Sequence, residues 1–153
     1  MSNDKTTSKV STANEVIARP LPDPTARMQP FHEGAAEGCL RIQRCRDCGL
    51  HHFPAIEVCN GCLGSSLDWI TASGRGVLFS FVRMHQVYHP AFADLTPYVI
   101  ADVKLDEGPR IISTVIGCEA ADLKIDMPLA VEFQSFDDEN TPSMRLPVFK
   151  PAD

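Results

Sequence analysis

Cys45, Cys48, Cys59 and Cys62 are the residues of this 153-residue chain whose type and spacing point most directly to chemistry. They stand in C-R-D-C and C-N-G-C, ten residues apart. Two Cys-x-x-Cys pairs in this arrangement are the sequence form of a zinc ribbon. Each pair wraps a tight turn whose backbone N–H groups point at the thiolates. Two such turns face to face supply a tetrahedral sulfur shell, which zinc accepts without geometric penalty. Gly49 after the first pair and Gly61 inside the second stand where tight turns commonly need positive φ. Two disulfides, or a redox dithiol, are the competing readings. A full four-thiolate shell leaves no position for water or substrate, so the predicted zinc is structural.

Other residues are weighed against that site. His51 and His52 neighbour the first pair, but zinc with four thiolates needs no further ligand. Arg41, Arg44 and Arg46 cluster beside the first knuckle. They suit a ligand phosphate or an acidic partner surface, or simply a solvated strand face. Tyr88-His89-Pro90-Ala91-Phe92 carries aromatics on a connecting loop, the kind of segment that meets ligands; alternatively Phe92 plugs a barrel end. His85 and His89 have no carboxylate at a spacing that fixes a geometry. Asp137, Asp138 and Glu139 contain calcium-type ligands, but an acidic turn is also an ordinary solvated hairpin. Cys39 and Cys118 sit among small and apolar residues, as buried free thiols do. No nucleophile elbow, Gly-rich phosphate loop or His-Glu-x-x-His helix is present, so no catalytic set is assigned.

The elements that must position the cysteines follow from periodicity. Residues 1–29 read as a disordered tail and a proline-rich arm. Residues 30–72 read as a short helix and the ribbon. Phe31 and Ala35 share a helix face, and Gly38 stops the helix. The alternation of 39–44, the segment His51–Phe53, and Leu67-Trp69-Thr71 give the ribbon strands, with Trp69 covering the apolar side. Ser73-Gly74-Arg75-Gly76 reads as a turn between modules. Residues 73–153 then hold five strands: 77–88, 99–105, 110–116, 129–134 and 144–148, with one helical turn within 119–126. The fold class is mainly β: short helix, rubredoxin-like zinc ribbon, five-stranded OB-fold barrel. A five-stranded barrel of another topology is the structural rival.

Net charge is −6, and the whole excess lies in residues 101–153, with eleven acids against five bases. That balance disfavours a phosphate-backbone ligand. The N-terminus lacks the apolar core of a signal peptide, and reduced cysteines suit the cytoplasm, which is the expected location.

Several segments together resemble one prokaryotic family, which joins a rubredoxin-like zinc ribbon to an OB-fold and accompanies thiolase-like enzymes. They include P-F-H-E-G-A-A-E-G (30–38), L-R-I-Q-R-C-R-D-C-G (40–49), C-N-G-C (59–62), S-G-R-G-V-L-F-S-F (73–81), H-P-A-F (89–92), L-D-E-G-P-R (105–110) and L-P-V-F-K-P (146–151). The match runs from about residue 30 to the end. His32 departs from it, standing where the family commonly carries a larger aromatic. The resemblance implies a non-catalytic accessory subunit of a thiolase or thiolase-like aldolase acting on acyl-CoA. The partner holds the catalytic residues, and CoA thioester passes near the shared interface. On this reading Phe31 and Arg44 contact the partner, and His89 and Phe92 border the substrate entrance. The alternatives are a single-stranded nucleic-acid module and a free-standing acyl-CoA protein.

Overall fold

The computed structural model describes residues 20–138 and 141–152. The tail expected at 1–19 and the last two residues of the acidic turn 137–140 lie outside them.

Residues 20–28 run extended and then turn, with Met28 N–H donating to Thr25 O at 2.9 Å. Helix α1 spans Gln29–Glu37, with Pro30 in its first turn, where a missing N–H costs nothing. It ends at Gly38, whose φ of +80° lets Cys39 N–H close back on Gly34 O at 2.7 Å. Arg145 donates to Ala36 O at 3.1 Å, placing a cation on the helix C-terminus.

The ribbon is a three-stranded antiparallel sheet of order β2-β1-β3, from β1 (Arg41–Cys45), β2 (His51–His52) and β3 (Leu67–Thr71). The second sheet has five antiparallel strands: β4 (Arg75–Met84), β5 (Tyr98–Leu105), β6 (Arg110–Ser113), β7 (Pro128–Asp138) and β8 (Thr141–Pro151). Their order is β6-β5-β4-β7-β8. The sheet curls until its two edges meet through a parallel bridge from Val115 to Phe149. Phe149 N–H donates to Thr114 O at 3.0 Å, and Ile116 N–H to Phe149 O at 2.8 Å. Three consecutive hairpin strands, then a pair that returns beside the first and closes parallel on the third, is the partly open Greek-key barrel of an OB-fold. A 3₁₀ turn at Ala120–Asp122 fills the connection between β6 and β7.

The two modules share one core. Phe31, Leu40, Ile42 and Ala72 from the helix and ribbon pack in the same cluster as Leu78, Val103, Leu105, Leu129 and Phe149 of the barrel. Trp69 packs against it from β3.

Two local expectations change. The long first barrel strand stops at Met84, and Val87 and Tyr88 are exposed beyond it, Tyr88 by 72%. β-propensity without a partner strand does not extend a ladder. The turn at 73–76 is shorter than its composition suggests, because Arg75 and Gly76 already pair with Ala130 and Leu129. A Cβ at Gly76 would strike the Lys104 backbone, so the close approach of β4 to β5 requires glycine there. The ladder between β4 and β5 also slips between Leu78 and Ser80. Phe79 is the extra residue of that bulge and turns outward, half-exposed, under the guanidinium of Arg110, 4.4 Å above the ring.

Candidate metal centre

β1 delivers Cys45 at its last residue, and the turn that follows carries Cys48. A second turn between β2 and β3 brings Cys59 and Cys62 opposite. The four Sγ atoms lie within 4.8 Å of one another. Cys45 Sγ is 3.6 Å from Cys62 Sγ, and Cys48 Sγ is 3.5 Å from Cys59 Sγ. Tetrahedral zinc with bonds of about 2.3 Å needs sulfurs roughly 3.8 Å apart, so the donor set fits the ion with small adjustments. Among the described residues this is the only grouping of three or more His, Cys, Asp or Glu side chains able to hold a metal. When bound, zinc supplies a folding cross-link between the two turns.

The knuckle backbones serve the sulfurs. Gly61 N–H donates to Cys59 Sγ at 3.4 Å. Burial would push the Cys59 thiol up, but the N–H groups of Cys62 and Gly61, with Cys48 and His52, outweigh it and bring it down to about 6. Cys62 goes the other way: the Gly64 N–H favours its thiolate, yet Cys48, Cys45 and burial push it up to about 12. Cys48 is raised as well, the Leu50 N–H being outweighed by its contact with Cys59 and by burial. Sulfurs this close cannot all ionise without a compensating cation, and a zinc dication supplies one.

The glycine expectations divide. Gly49 has φ +76°, as a tight turn requires. Gly61 is not in the left-handed region. It is glycine for space, because a Cβ there would lie 2.9 Å from Leu50 Cδ2. The left-handed residue of the second knuckle is Leu63, at φ +62°.

His52 takes part in the site although it is not a fifth ligand. It is buried on β2, with Nε2 3.3 Å from Cys59 Sγ. With that nitrogen protonated it donates to the ligand sulfur and orients it, the usual outer-shell role. Buried Gln43 fixes the loop before Cys59 by accepting from Ile56 N–H at 2.7 Å. Neither role is visible in spacing, since both depend on strand pairing across the ribbon.

The other candidates are dispersed. Arg41 pairs with Glu37, and Arg46 makes two 2.6 Å hydrogen bonds to Asp68. Arg44 is exposed on β1 and forms no ion pair among the described residues. His89 caps the 3₁₀ turn Pro90–Leu95, its Nδ1 accepting from Ala91 N–H at 3.2 Å. Its ring lies 6.2 Å from Phe92, which lies 6.0 Å from Tyr98. These three rings form a small aromatic cluster at the start of β5, outside the main core. Phe31, the expected partner contact, lies mostly inside. It is 6% exposed and packs on Phe53 with ring centroids 5.0 Å apart. The apolar face of α1 therefore serves the protein's own core. The thiols of Cys39 and Cys118 are only partly buried.

Two clefts flank these elements. One, of about 410 Å³, runs between α1 and the barrel and is walled by Phe31, His32, Ile112, Phe136 and Leu146. His32 Nδ1 is buried there with no hydrogen-bond partner among the described residues, and desolvation holds its imidazole below the ordinary value. The other, of about 520 Å³, lies between the ribbon and the β5–β6 turn, beside His51, Phe53, Asn60 and Glu107. Glu107 Oε1 accepts from Ser73 N–H at 2.6 Å and so ties that turn to the junction between the sheets. Burial alone would raise this carboxyl, but the N–H groups of Ser73 and of Glu107 itself hold it below the usual carboxylate range.

A closed four-thiolate ribbon sharing its core with an OB barrel defines the class: a zinc-ribbon–OB protein. Residues 32–68 match the ChsH2 rubredoxin-like zinc ribbon domain, and residues 69–134 match the ChsH2 C-terminal OB-fold domain. A DUF35 domain-containing scaffold protein of Methanocaldococcus jannaschii is 34% identical over 63% of this chain and 68% of its own length. The chain belongs to this DUF35 family. It is also 34% identical, over 80% of its length, to a probable enoyl-CoA hydratase alpha subunit of Thermomonospora curvata, of which it covers 36%. The chain thus spans little more than a third of that relative. The benzoylsuccinyl-CoA thiolase subunit BbsA of Thauera aromatica is 30% identical over 63% of this chain and 67% of its own length. Among solved structures, a chain of the Ltp2–ChsH2(DUF35) aldolase superimposes with a TM-score of 0.74 at 32% identity, covering 86% of this chain and 98% of that one. No helix among the described residues is long and apolar enough to cross a membrane.

Proposed function

We propose that this chain is a non-catalytic accessory subunit of a thiolase-superfamily enzyme acting on an acyl-CoA, working in the cytoplasm. The observation that carries this reading is the likeness, over nearly the whole of that chain, to a subunit of the Ltp2–ChsH2 aldolase. The kinship with a thiolase subunit and a scaffold protein supports it. The chemistry of the site agrees. Its metal shell is complete with protein sulfur, and a closed shell has no position at which to activate water or a carbonyl. The chain is then a rigid two-module body, helix and ribbon over 30–72 and barrel over 73–153, that docks on a larger partner. Arg44 would meet an acidic patch of that partner. The His89–Phe92 loop would border the path of the thioester. Phe31 would act from beneath, by holding α1 and the ribbon in place.

The test is turnover. The purified chain alone should not convert acyl-CoA substrates. The thiolase-superfamily protein that co-purifies with it, when such reading frames of the source genome are co-expressed, should lose most of its rate once this chain is removed. Turnover by the chain alone, or an enzyme indifferent to it, overturns the reading.

A further inference from the structure

The two zinc knuckles have matching backbones. Gly49 N–H donates to Cys45 O at 2.9 Å, and Leu63 N–H donates to Cys59 O at 2.9 Å. Gly49 and Leu63 therefore hold equivalent positions, one residue after the second cysteine of each pair. Both are in the left-handed region, at φ +76° and +62°. Glycine adopts that conformation freely, whereas leucine is disfavoured there because its Cβ crowds the backbone. The other described non-glycine residue with positive φ is Asp126, a type that visits the region readily.

Packing does not compensate the leucine. Leu63 is 79% exposed, the most exposed large apolar side chain among the described residues. For the fold, glycine at this position would relieve the backbone and remove apolar surface from water. A residue that is strained and unpacked points to a role outside the monomer. Its neighbours share the character. Leu50 reaches across onto Gly61 of the second knuckle and is 45% exposed, and Val58, beside Cys59, is 50% exposed. The carboxylate of Asp47 lies against Gly64, next to Leu63, and Asp47 is exposed with no ion pair among the described residues.

We propose that the ribbon tip is a docking knob. Leu63, flanked by Leu50 and Val58, seats in an apolar socket of the thiolase-superfamily partner, and the socket rim presents a Lys or Arg to Asp47. This rests on the accessory-subunit reading and names the surface that reading leaves open. An anionic lipid surface fits less well, because the charge beside Leu63 is the exposed Asp47 carboxylate, which forms no ion pair among the described residues, while Glu57 is paired with Arg27.

The experiment uses the full, zinc-loaded chain and the co-purified thiolase-superfamily enzyme. Leu63→Gly should keep its zinc and melt at the wild-type temperature or higher, since glycine suits the turn. Its Kd for the enzyme should rise by about tenfold or more, the loss expected for one buried leucine side chain. Asp47→Lys should also weaken binding, more so at low salt. Leu63→Gly binding as tightly as wild type overturns the proposal while leaving the accessory role standing. A variant that loses zinc and melts lower makes Leu63 a structural residue and also overturns it. So does wild-type binding to phosphatidylcholine–phosphatidylglycerol vesicles, or self-association in sedimentation, that Leu63→Gly abolishes while enzyme binding persists. A wild-type chain that binds no such enzyme removes both readings together.

Discussion

Stripping the metal with a chelator, or replacing Cys59 with Ser, is expected to unfold ribbon and barrel together. Phe31, Leu40 and Ile42 belong to the helix and ribbon, yet they lie fully or nearly fully buried in the cluster that holds Leu78, Val103 and Phe149. Each such side chain contributes about 1.5–3 kcal/mol by burial, so the three together supply about 5–9 kcal/mol. A domain of this size is stable by only about 5–15 kcal/mol in total. The ribbon itself depends on metal, which contributes about 10–16 kcal/mol in isolated zinc modules near neutral pH. Releasing it withdraws those three side chains from the barrel core as well. The assay is hydrogen exchange read by mass spectrometry along an EDTA titration, with Trp69 fluorescence in parallel. Amides of β1 (Arg41–Cys45) and β5 (Tyr98–Leu105) should lose protection at one midpoint, coincident with the Trp69 change. Persisting protection across β5 after the zinc has gone would refute the shared-core reasoning and make the barrel an independent folding unit.

Other outcomes follow from the same site. Because Cys62 is pushed up to about 12 and Cys48 is also raised, zinc binding at pH 7.4 should release protons from both thiols. Calorimetry in two buffers of different ionisation enthalpy reads that release, and zinc affinity should fall as pH falls. Glu107 is held below the unfolded carboxyl value of about 4.3, so the stability it adds is present above that pH and is lost as pH falls through its folded pKa. Glu107→Gln should therefore melt lower than wild type at pH 7, with the gap closing below about pH 4. Single-stranded DNA or RNA should bind weakly at physiological salt, since residues 73–153 carry twelve acids and seven bases; a fluorescence anisotropy titration giving tight, salt-sensitive binding would restore the nucleic-acid alternative.

The cysteine spacing carried the four metal ligands, because a four-thiolate shell is specified by residue type and local turn geometry. The barrel was legible for a similar reason: alternation at 99–105 and 129–134 records which side of a strand faces a core. The strand order is set by which edges meet, and a periodic sequence does not record that. V-L-F-S-F-V at 77–82 is apolar or small on both faces, so alternation could not locate the bulge that turns Phe79 outward. Phe31 showed the right helix face but not what the face meets. Here it meets the chain's own core. His52 and Glu107 act through partners seven and thirty-four residues away, so only the folded pairing reveals them. Leu63 carries no signal in the sequence, because an exposed leucine is ordinary there, and only its φ of +62° sets it apart.

The central claim is that this chain is a zinc-held docking body for a thiolase-superfamily enzyme. Sedimentation velocity on the purified chain, the enzyme and their mixture at micromolar concentration tests it most directly, with zinc measured in each boundary. One faster hetero-oligomeric boundary that carries about one zinc per copy of this chain is the predicted result. Two boundaries at the positions of the separate proteins, or a complex whose copies of this chain hold no zinc, would contradict it.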